Sequence, residues 1–339
     1  MPRVDAGLIP TGLLDLDAQW LGEVVGEEAG SQLRLTQIAV TSFSRVVEVT
    51  NGRERWVVKW SRTDRRHPEL ERGHEVLFYE KVAPSLPPDT LAPAIAWAYS
   101  DERTSALIVF RSVANVTPQR PSHLPPLREV TEMMVDTLAS IHAARWSDPP
   151  FDVAGTSLVD HEEIDARASA TEDRVSRLLT SHSHALGPEI SQILNRIVEQ
   201  MPRILKRLQD SEAMTVVHDD VHIGNFLIPN HSGQARLLDW QTWTTDLAAK
   251  DLAHMIAYFW FPSPRKTLEE HLLRRYHGQL ASHGIDYGQD ELWHDYRLCV
   301  IRKVLHAVWE WDLGVDEWKW YSHLARAALA YRDLSCADF

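Results

Sequence analysis

The segment Val216-Val217-His218-Asp219-Asp220-Val221-His222-Ile223-Gly224-Asn225-Phe226-Leu227-Ile228 gathers two histidines, two aspartates and an asparagine between positions 218 and 225. Within it, His218-x-Asp220-x-x-x-x-Asn225 has a telling spacing. At that spacing a loop carboxylate can take the proton of a hydroxyl while an amide oxygen holds a metal ion. Asp239 follows at the end of the apolar run Leu237-Leu238, and Pro229-Asn230-His231-Ser232-Gly233-Gln234 between them has turn composition. Pairing 228 with 236 across that turn also pairs Asn225 with Asp239, about 5 Å apart between α-carbons. An amide oxygen and a carboxylate at such a separation suit magnesium, which accepts one or two protein ligands and takes the rest from phosphates and water.

A second set of residues lies near the N-terminus. Two β-branched runs, residues 44–49 and 55–60, flank Thr50-Asn51-Gly52-Arg53 and read as a hairpin. With Asn51-Gly52 at the turn centre, Lys59 lies opposite Ser44, which closes the loop Thr41-Ser42-Phe43-Ser44. A lysine beside a small, hydroxyl-bearing loop can hold phosphate oxygens, with Ser42 and Ser44 as neighbours. A strand lysine also needs an anion to orient it, and Glu75 on the helix that follows is the candidate.

The elements that must position these groups divide the chain unevenly. Residues 13–28 read as an opening helix, the hairpin comes next, residues 68–83 begin with Pro and read as a helix, and 105–110 read as a buried strand. A proline-bearing stretch, 114–126, reads as a linker. Helices are expected over 127–145, about 160–180 and about 188–209, then strand and loop over 214–241, and mostly helix from 246 onward. The expected organisation is α+β and bilobed, with a small β-rich lobe over 1–113 and a large helical lobe over 114–339.

Composition narrows the function. The 339 residues carry 35 Lys+Arg against 48 Asp+Glu, a net charge of −13, which argues against broad contact with a nucleic-acid backbone. Two cysteines cannot build a disulfide framework or a four-thiolate zinc site. The N-terminus lacks the apolar stretch of a secretory signal and no membrane-length apolar run occurs, so a cytoplasmic protein with no membrane partner is expected.

Five short motifs resemble the aminoglycoside phosphotransferase and choline-kinase-like superfamily, relatives of the protein kinases. Val-Val-His-Asp-Asp-Val-His-Ile-Gly-Asn is similar to the family's His-Gly-Asp-Leu-His-x-Gly-Asn, with Asp219 in place of the glycine and Val221 of the leucine. Leu-Leu-Asp239-Trp-Gln resembles its metal-binding segment, and Asp251-Leu252-Ala253 the Asp-Leu-Ala that follows. Glu75-Val76-Leu77-Phe78-Tyr79 resembles its first-lobe Glu-x-x-Phe-Tyr, favouring Glu75 over Glu71 or Glu80. Leu138-Ala139-Ser140-Ile141-His142-Ala143 resembles a helix of its second lobe. The C-terminal half is most similar to the ecdysteroid-kinase-like branch.

The resemblance implies a bilobed kinase-like fold and transfer of the γ-phosphoryl of ATP or GTP to a small-molecule hydroxyl. Asp220 would be the catalytic base and Asn225 with Asp239 would hold Mg2+. Lys59, oriented by Glu75, would hold phosphates, and the adenine would meet backbone from Phe110 to Ser112. Tyr258 and Trp260 are expected in the acceptor wall. The glycine-free loop at 41–44 departs from the kinase pattern.

Each residue also has a plainer role. His218 is expected to brace the loop, His222 to pack it, and Asp251 to cap a helix while bracing the same loop. Asp219 reads as a neutral departure from the motif, although a second carboxylate beside Asp220 could raise one of the two pKa values. Residues 282–339 carry ten Asp/Glu and six Lys/Arg, which favours a cationic or polyhydroxylated acceptor, an antibiotic or other natural-product alcohol. The alternatives are a metabolic alcohol kinase of choline or sugar type, a metal-dependent hydrolase using His218, Asp219, Asp220 and His222, and an inactive nucleotide-binding scaffold.

Overall fold

The structure, a computed structural model, describes residues 3–25, 33–40, 44–61, 73–100, 105–148, 164–209, 212–231 and 233–338. They form two compact units, Met1–Pro118 with Leu227–Trp243 and Gln119–Phe226 with Thr244–Phe339. The expected single cut after residue 113 therefore becomes a crossing and a return. Segment 227–243 belongs to the first unit because its own contacts hold it there. Strand β8 (Phe226–Pro229) pairs with β6 (Val116–Pro118), setting Ile228 opposite Thr117. The Arg236 guanidinium donates to the carbonyls of Pro88 and Leu91 at 2.9 Å each, and to Asp89 at 2.7 Å.

The first unit is built on an antiparallel sheet of β1 (Arg34–Val40), β2 (Ser44–Thr50), β3 (Arg55–Ser61), β4 (Ala94–Ser100) and β5 (Ser105–Arg111), in the order β1-β2-β3-β5-β4. The period of two sorts β3. Trp56, Val58 and Trp60 join Val47, Val49, Leu107 and Val109 in one buried cluster with Trp20, Leu21 and Val24 of helix α1 (Ala18–Val25). Val57, Lys59 and Ser61 are left for the opposite face. The opening helix is shorter than the expected 13–28, since Leu13–Asp15 form a separate 3-10 turn and residues 26–28 lie outside the described set.

The hairpin register differs from expectation by two. Val46, not Ser44, pairs with Lys59, and Ser44 pairs with Ser61. Asn51 explains the shift. Its side-chain oxygen accepts from the N–H groups of Arg53 (2.9 Å) and Glu54 (2.8 Å), closing a four-residue loop in place of a two-residue one. Gly52 supplies the positive φ of 88° that this loop requires. Because the shift is even, Ser44 and Lys59 keep the same face of the sheet.

In the second unit, α3 (Arg128–Ala144) and α4 (Ile164–Gln209) precede strand β7 (Met214–Val217), which pairs antiparallel with β10 (Thr244–Leu247). Gly187, at φ 72°, breaks α4 just before Pro188, so the long element is two helices end to end, as the sequence suggests. After β10 come α5 (Ala249–Leu252), running on as a π-helical turn over Ala253–Phe259, then α6 (Pro262–Ser282), α7 (Gln289–Asp312) and α8 (Glu317–Asp333). No helix among the described residues is long and apolar enough to cross a membrane.

Candidate active site

Strand β3 presents Lys59 to helix α2 (His74–Leu77), where the Lys59 ammonium lies 2.6 Å from Glu75 Oε2 and 2.6 Å from Asp239 Oδ1. Lys59 and Glu75 are buried, whereas the Asp239 side chain is 45% exposed. Burial alone would lower the lysine, but the charges of Asp239 and Glu75 outweigh it and hold the ammonium above its ordinary pKa. Burial pushes Glu75 up against the pull of Lys59. Two carboxylates around one ammonium leave a net negative charge.

Asp239 is held in the left-handed region, φ 63° and ψ 63°, which turns the chain so that the next N–H, of Trp240, donates to Glu75 Oε1 at 3.2 Å. The Trp240 ring stacks on Phe78 at 3.9 Å between centroids. Trp243 Nε1 donates to the His74 carbonyl at 2.9 Å, and His74 Nε2 donates back to the Trp243 carbonyl at 2.7 Å. The helix carrying Glu75 and the segment carrying Asp239 therefore fix each other. Lys59, Ser61, Glu75, Ala106 and Ile108 line a small recess here.

The remaining candidates of this unit are placed unevenly. Ser42 lies outside the described residues, as do the rest of the 41–43 loop, Glu71 and the start of the expected 68–83 helix. Ser44 is buried opposite Ser61. Phe110 is buried edge-on to Tyr79 at 5.3 Å. The N–H of Arg111 donates to the Pro93 carbonyl and that of Ser112 to the Arg55 carbonyl, both at 2.9 Å. Those two donors serve the sheet, so a base docking at this edge would meet their carbonyls or the N–H groups beyond Ser112.

The second unit holds the loop carrying Asp220. Asp251 accepts the N–H of His218 and of Asp219, each at 2.8 Å, and His142 Nε2 lies 3.2 Å from it. His218 Nδ1 takes the N–H of Asp220 at 3.2 Å, the bracing role the sequence suggests. Asp251 braces the loop as expected but caps nothing, because α5 starts after Ala248. His222 packs flat on Phe259 at 4.8 Å. A Cβ on Gly224 would stand 2.8 Å from Pro121 and 2.9 Å from His222, so the loop closes only around a glycine.

Asn225 Nδ2 donates to the Asp220 carbonyl at 2.8 Å and stands 3.3 Å from Asp220 Oδ2. Both partners are acceptors, so the amide nitrogen must face them and Oδ1 is turned the other way. The Asp220 side chain is 43% exposed, with His254 Nε2 at 3.4 Å from Oδ1 and His222 Nε2 at 3.8 Å from Oδ2. Enclosure would raise its pKa, yet the imidazoles of His254, His222 and His218 hold it well below the carboxylate range. The expected upward push from Asp219 is absent for a clear reason. Lys250 (2.9 Å) and Lys303 (2.8 Å) neutralise Asp219, whose own pKa they draw far down against burial. Lys250 also pairs with Asp246 at 2.8 Å, a carboxylate gripped by Arg302 at 2.6 and 2.7 Å.

Tyr258 and Trp260 do not form an open wall. Both side chains are buried, and the Tyr258 hydroxyl donates to Glu310 at 2.8 Å. The π-helical turn, Ala253–Phe259, packs Tyr258 against α7 and α8, and Trp260 is buried just past its end, which helical spacing alone does not reveal. The sequence reading also missed His254, Lys250 and Lys303. His254 sits one turn after Lys250 and could have been found from helix spacing. Lys303 lies 84 positions from Asp219, and nothing local points to it.

Comparison with known proteins identifies the family and the fold. The profile of the phosphotransferase enzyme family, APH, matches residues 34–293, and the chain belongs to that family. It is a small-molecule phosphotransferase with a kinase-like α+β fold. A protein of Ralstonia eutropha JMP134 assigned as an aminoglycoside phosphotransferase superposes with a TM-score of 0.59 at 14% identity, over 95% of this chain and 97% of its own. Choline kinase LicA of Streptococcus pneumoniae gives 0.56 at 13%, over 93% and 99%. Spectinomycin phosphotransferase APH(9)-Ia, solved with ADP and spectinomycin, gives 0.52 at 11%, over 95% and 96%. No curated protein matches the sequence.

Proposed function

We propose that this chain transfers the γ-phosphoryl group of ATP or GTP to a hydroxyl of a small molecule, an aminoglycoside-like antibiotic or another natural-product alcohol. The observation that carries the reading is Lys59 held between Glu75 and Asp239 at 2.6 Å each. A buried ammonium so oriented is ready to hold phosphate oxygens. Glu75 and its bond to Trp240 keep Lys59 and Asp239 in register. Asp220, kept ionised by its imidazole neighbours, would accept the hydroxyl proton, and Asn225 would brace it from the amide side. Asn225 Oδ1 and the Asp239 carboxylate are hard oxygen donors of the kind magnesium takes, and they would hold the ion. Bound there, the ion would neutralise phosphate charge. The protein's own part is positioning and charge, with no covalent intermediate.

The acceptor is read from chemistry rather than from a pocket. The net acidic C-terminal segment favours cationic or polyhydroxylated molecules, although a choline- or sugar-type alcohol fits the same catalytic residues. Kinship with the ecdysteroid-kinase-like branch rests on the sequence motifs alone. The hydrolase alternative is less well supplied with ligands, since His218 Nδ1 takes a backbone N–H and Asp219 is held by two lysines.

The test is a panel of hydroxyl compounds with nucleotide turnover as readout, run beside Asp220→Asn. The variant should bind nucleotide normally and lose transfer by about three orders of magnitude, the range for removal of a positioned base. Half-normal transfer by Asp220→Asn would remove the aspartate from the mechanism.

A further inference from the structure

Asp219 stands where the family motif has glycine, and the backbone shows why glycine suits the position: φ is +63°, the left-handed region. An aspartate there accepts that conformation at some cost, and its carboxylate is not idle. Oδ1 accepts from Lys303 Nζ at 2.8 Å and Oδ2 lies 2.9 Å from Lys250. Lys303 rises from α7 and is 1% exposed. Its ammonium makes a second bond, 2.8 Å to His254 Nδ1, and stands 5.7 Å from the centre of the Tyr258 ring.

An ammonium has donors only, so the His254 nitrogen facing Lys303 must be an acceptor and carry no proton. The proton of the neutral ring then sits on Nε2, the atom 3.4 Å from Asp220 Oδ1. We infer that Asp219 and Lys303 act through His254 as a positioning relay that fixes the imidazole tautomer and turns its Nε2–H onto Oδ1 of the catalytic carboxylate. The inference rests on the reading of Asp220 as the base. Burial, followed by the charge of Lys303, brings His254 down to about 4, so the ring is neutral at working pH. Asp220 thus has Asn225 beside Oδ2 and His254 beside Oδ1, two neutral donors that orient it without sharing its proton. A 3.4 Å separation is long for a hydrogen bond, and contacts of this kind shorten when the reacting complex assembles.

The full-length protein, labelled with 15N-histidine, gives a readout that packing alone does not move. With His254→Gln identifying the resonances, His254 should show a protonated Nε2 and a bare Nδ1 at pH 7, and Lys303→Met should abolish that single tautomer. Kinetics with Mg-ATP and the best hydroxyl compound of the panel should show kcat reduced about tenfold to a hundredfold in His254→Phe, the range for loss of an orienting partner, with the ATP KM within twofold. His254→Gln should restore most of that loss, because its carbonyl can face Lys303 and its amide N–H can face Asp220. A wild-type ring protonated on Nδ1, or equal kcat in the Gln and Phe variants, would overturn the relay. Wild-type-like transfer by Asp220→Asn alongside the expected tautomer would instead overturn the base assignment and leave the tautomer standing. A melting curve checks that Lys303→Met is folded, and if it is not, the Gln/Phe pair decides alone.

Discussion

The two units solve the problem of holding a charge in opposite ways. In the first, a cation is enclosed by anions: Lys59 is buried between Glu75 and Asp239. In the second, an anion is left half-open, with Asp220 43% exposed and bordered by imidazoles and an amide. Both rest on buried support, but the supports differ. The Lys59 cluster is three charges in direct contact, and removing the lysine would leave the buried Glu75 carboxylate uncompensated. The surroundings of Asp220 are graded, with the neutral His254 ring and the Asn225 amide next to the carboxylate and the full charges of Lys303, Lys250 and Asp219 one residue further away. An arrangement of the first kind holds a partner tightly. One of the second kind keeps a carboxylate ionised and aimed.

That contrast can be broken most severely at Asp239. Asp239→Ala should abolish magnesium-dependent nucleotide binding, because the carboxylate is the strongest oxygen ligand available to the ion. Calorimetry with and without magnesium decides it, and an unchanged magnesium dependence would remove Asp239 from the metal site.

Lys59→Met should cost about a hundredfold in kcat/KM for the nucleotide, the size expected for losing one charged donor at a transferring phosphoryl group. Glu75→Gln, which keeps the bond from Trp240 but loses the charge, should cost less. Equal losses in the two variants would show that Glu75 binds rather than orients.

The smallest effect separates the units by pH. His254 and His306 are drawn down by burial and by Lys303, to about 4 and about 3. In the unfolded chain each takes its proton near 6.5, so unfolding absorbs protons and stability falls as pH drops from about 6.5 toward 4. Each histidine should contribute roughly 1.4 kcal/mol per pH unit across that window. Lys59 has the opposite sign, with a raised pKa, so its stabilisation is complete throughout the acid range and fades only at alkaline pH. The protection factors of α7 amides, corrected for the intrinsic exchange rate at each pH, should therefore fall more between pH 7 and 5 than those of β3. A matching response in both elements would contradict the assignment.

Much of this site was legible from the chain alone. His218, Asp220 and Asn225 lie within one loop, so their spacing reports their geometry, and Glu75 follows Lys59 on the next described helix. The alternation along β3 places Lys59 on the face away from Trp56, Val58 and Trp60, and the two-residue register shift caused by Asn51 does not change that face. Parity survives an even slip because side chains repeat every two residues.

What the chain alone did not disclose depends on contacts between distant segments. The burial of Tyr258 follows from a π-helical turn packed against α7 and α8, with Trp260 buried just past its end, and π-turns have no clear sequence signal. The membership of 227–243 in the first unit depends on strand pairing and on Arg236 reaching the 88–91 segment. Asp219 looked neutral in the sequence because its partners, Lys250 and Lys303, come from two later helices. Residue types and local spacing determined which groups could do the chemistry. Only the tertiary structure decided how they are charged and aimed, because electrostatics acts through space and not along the chain.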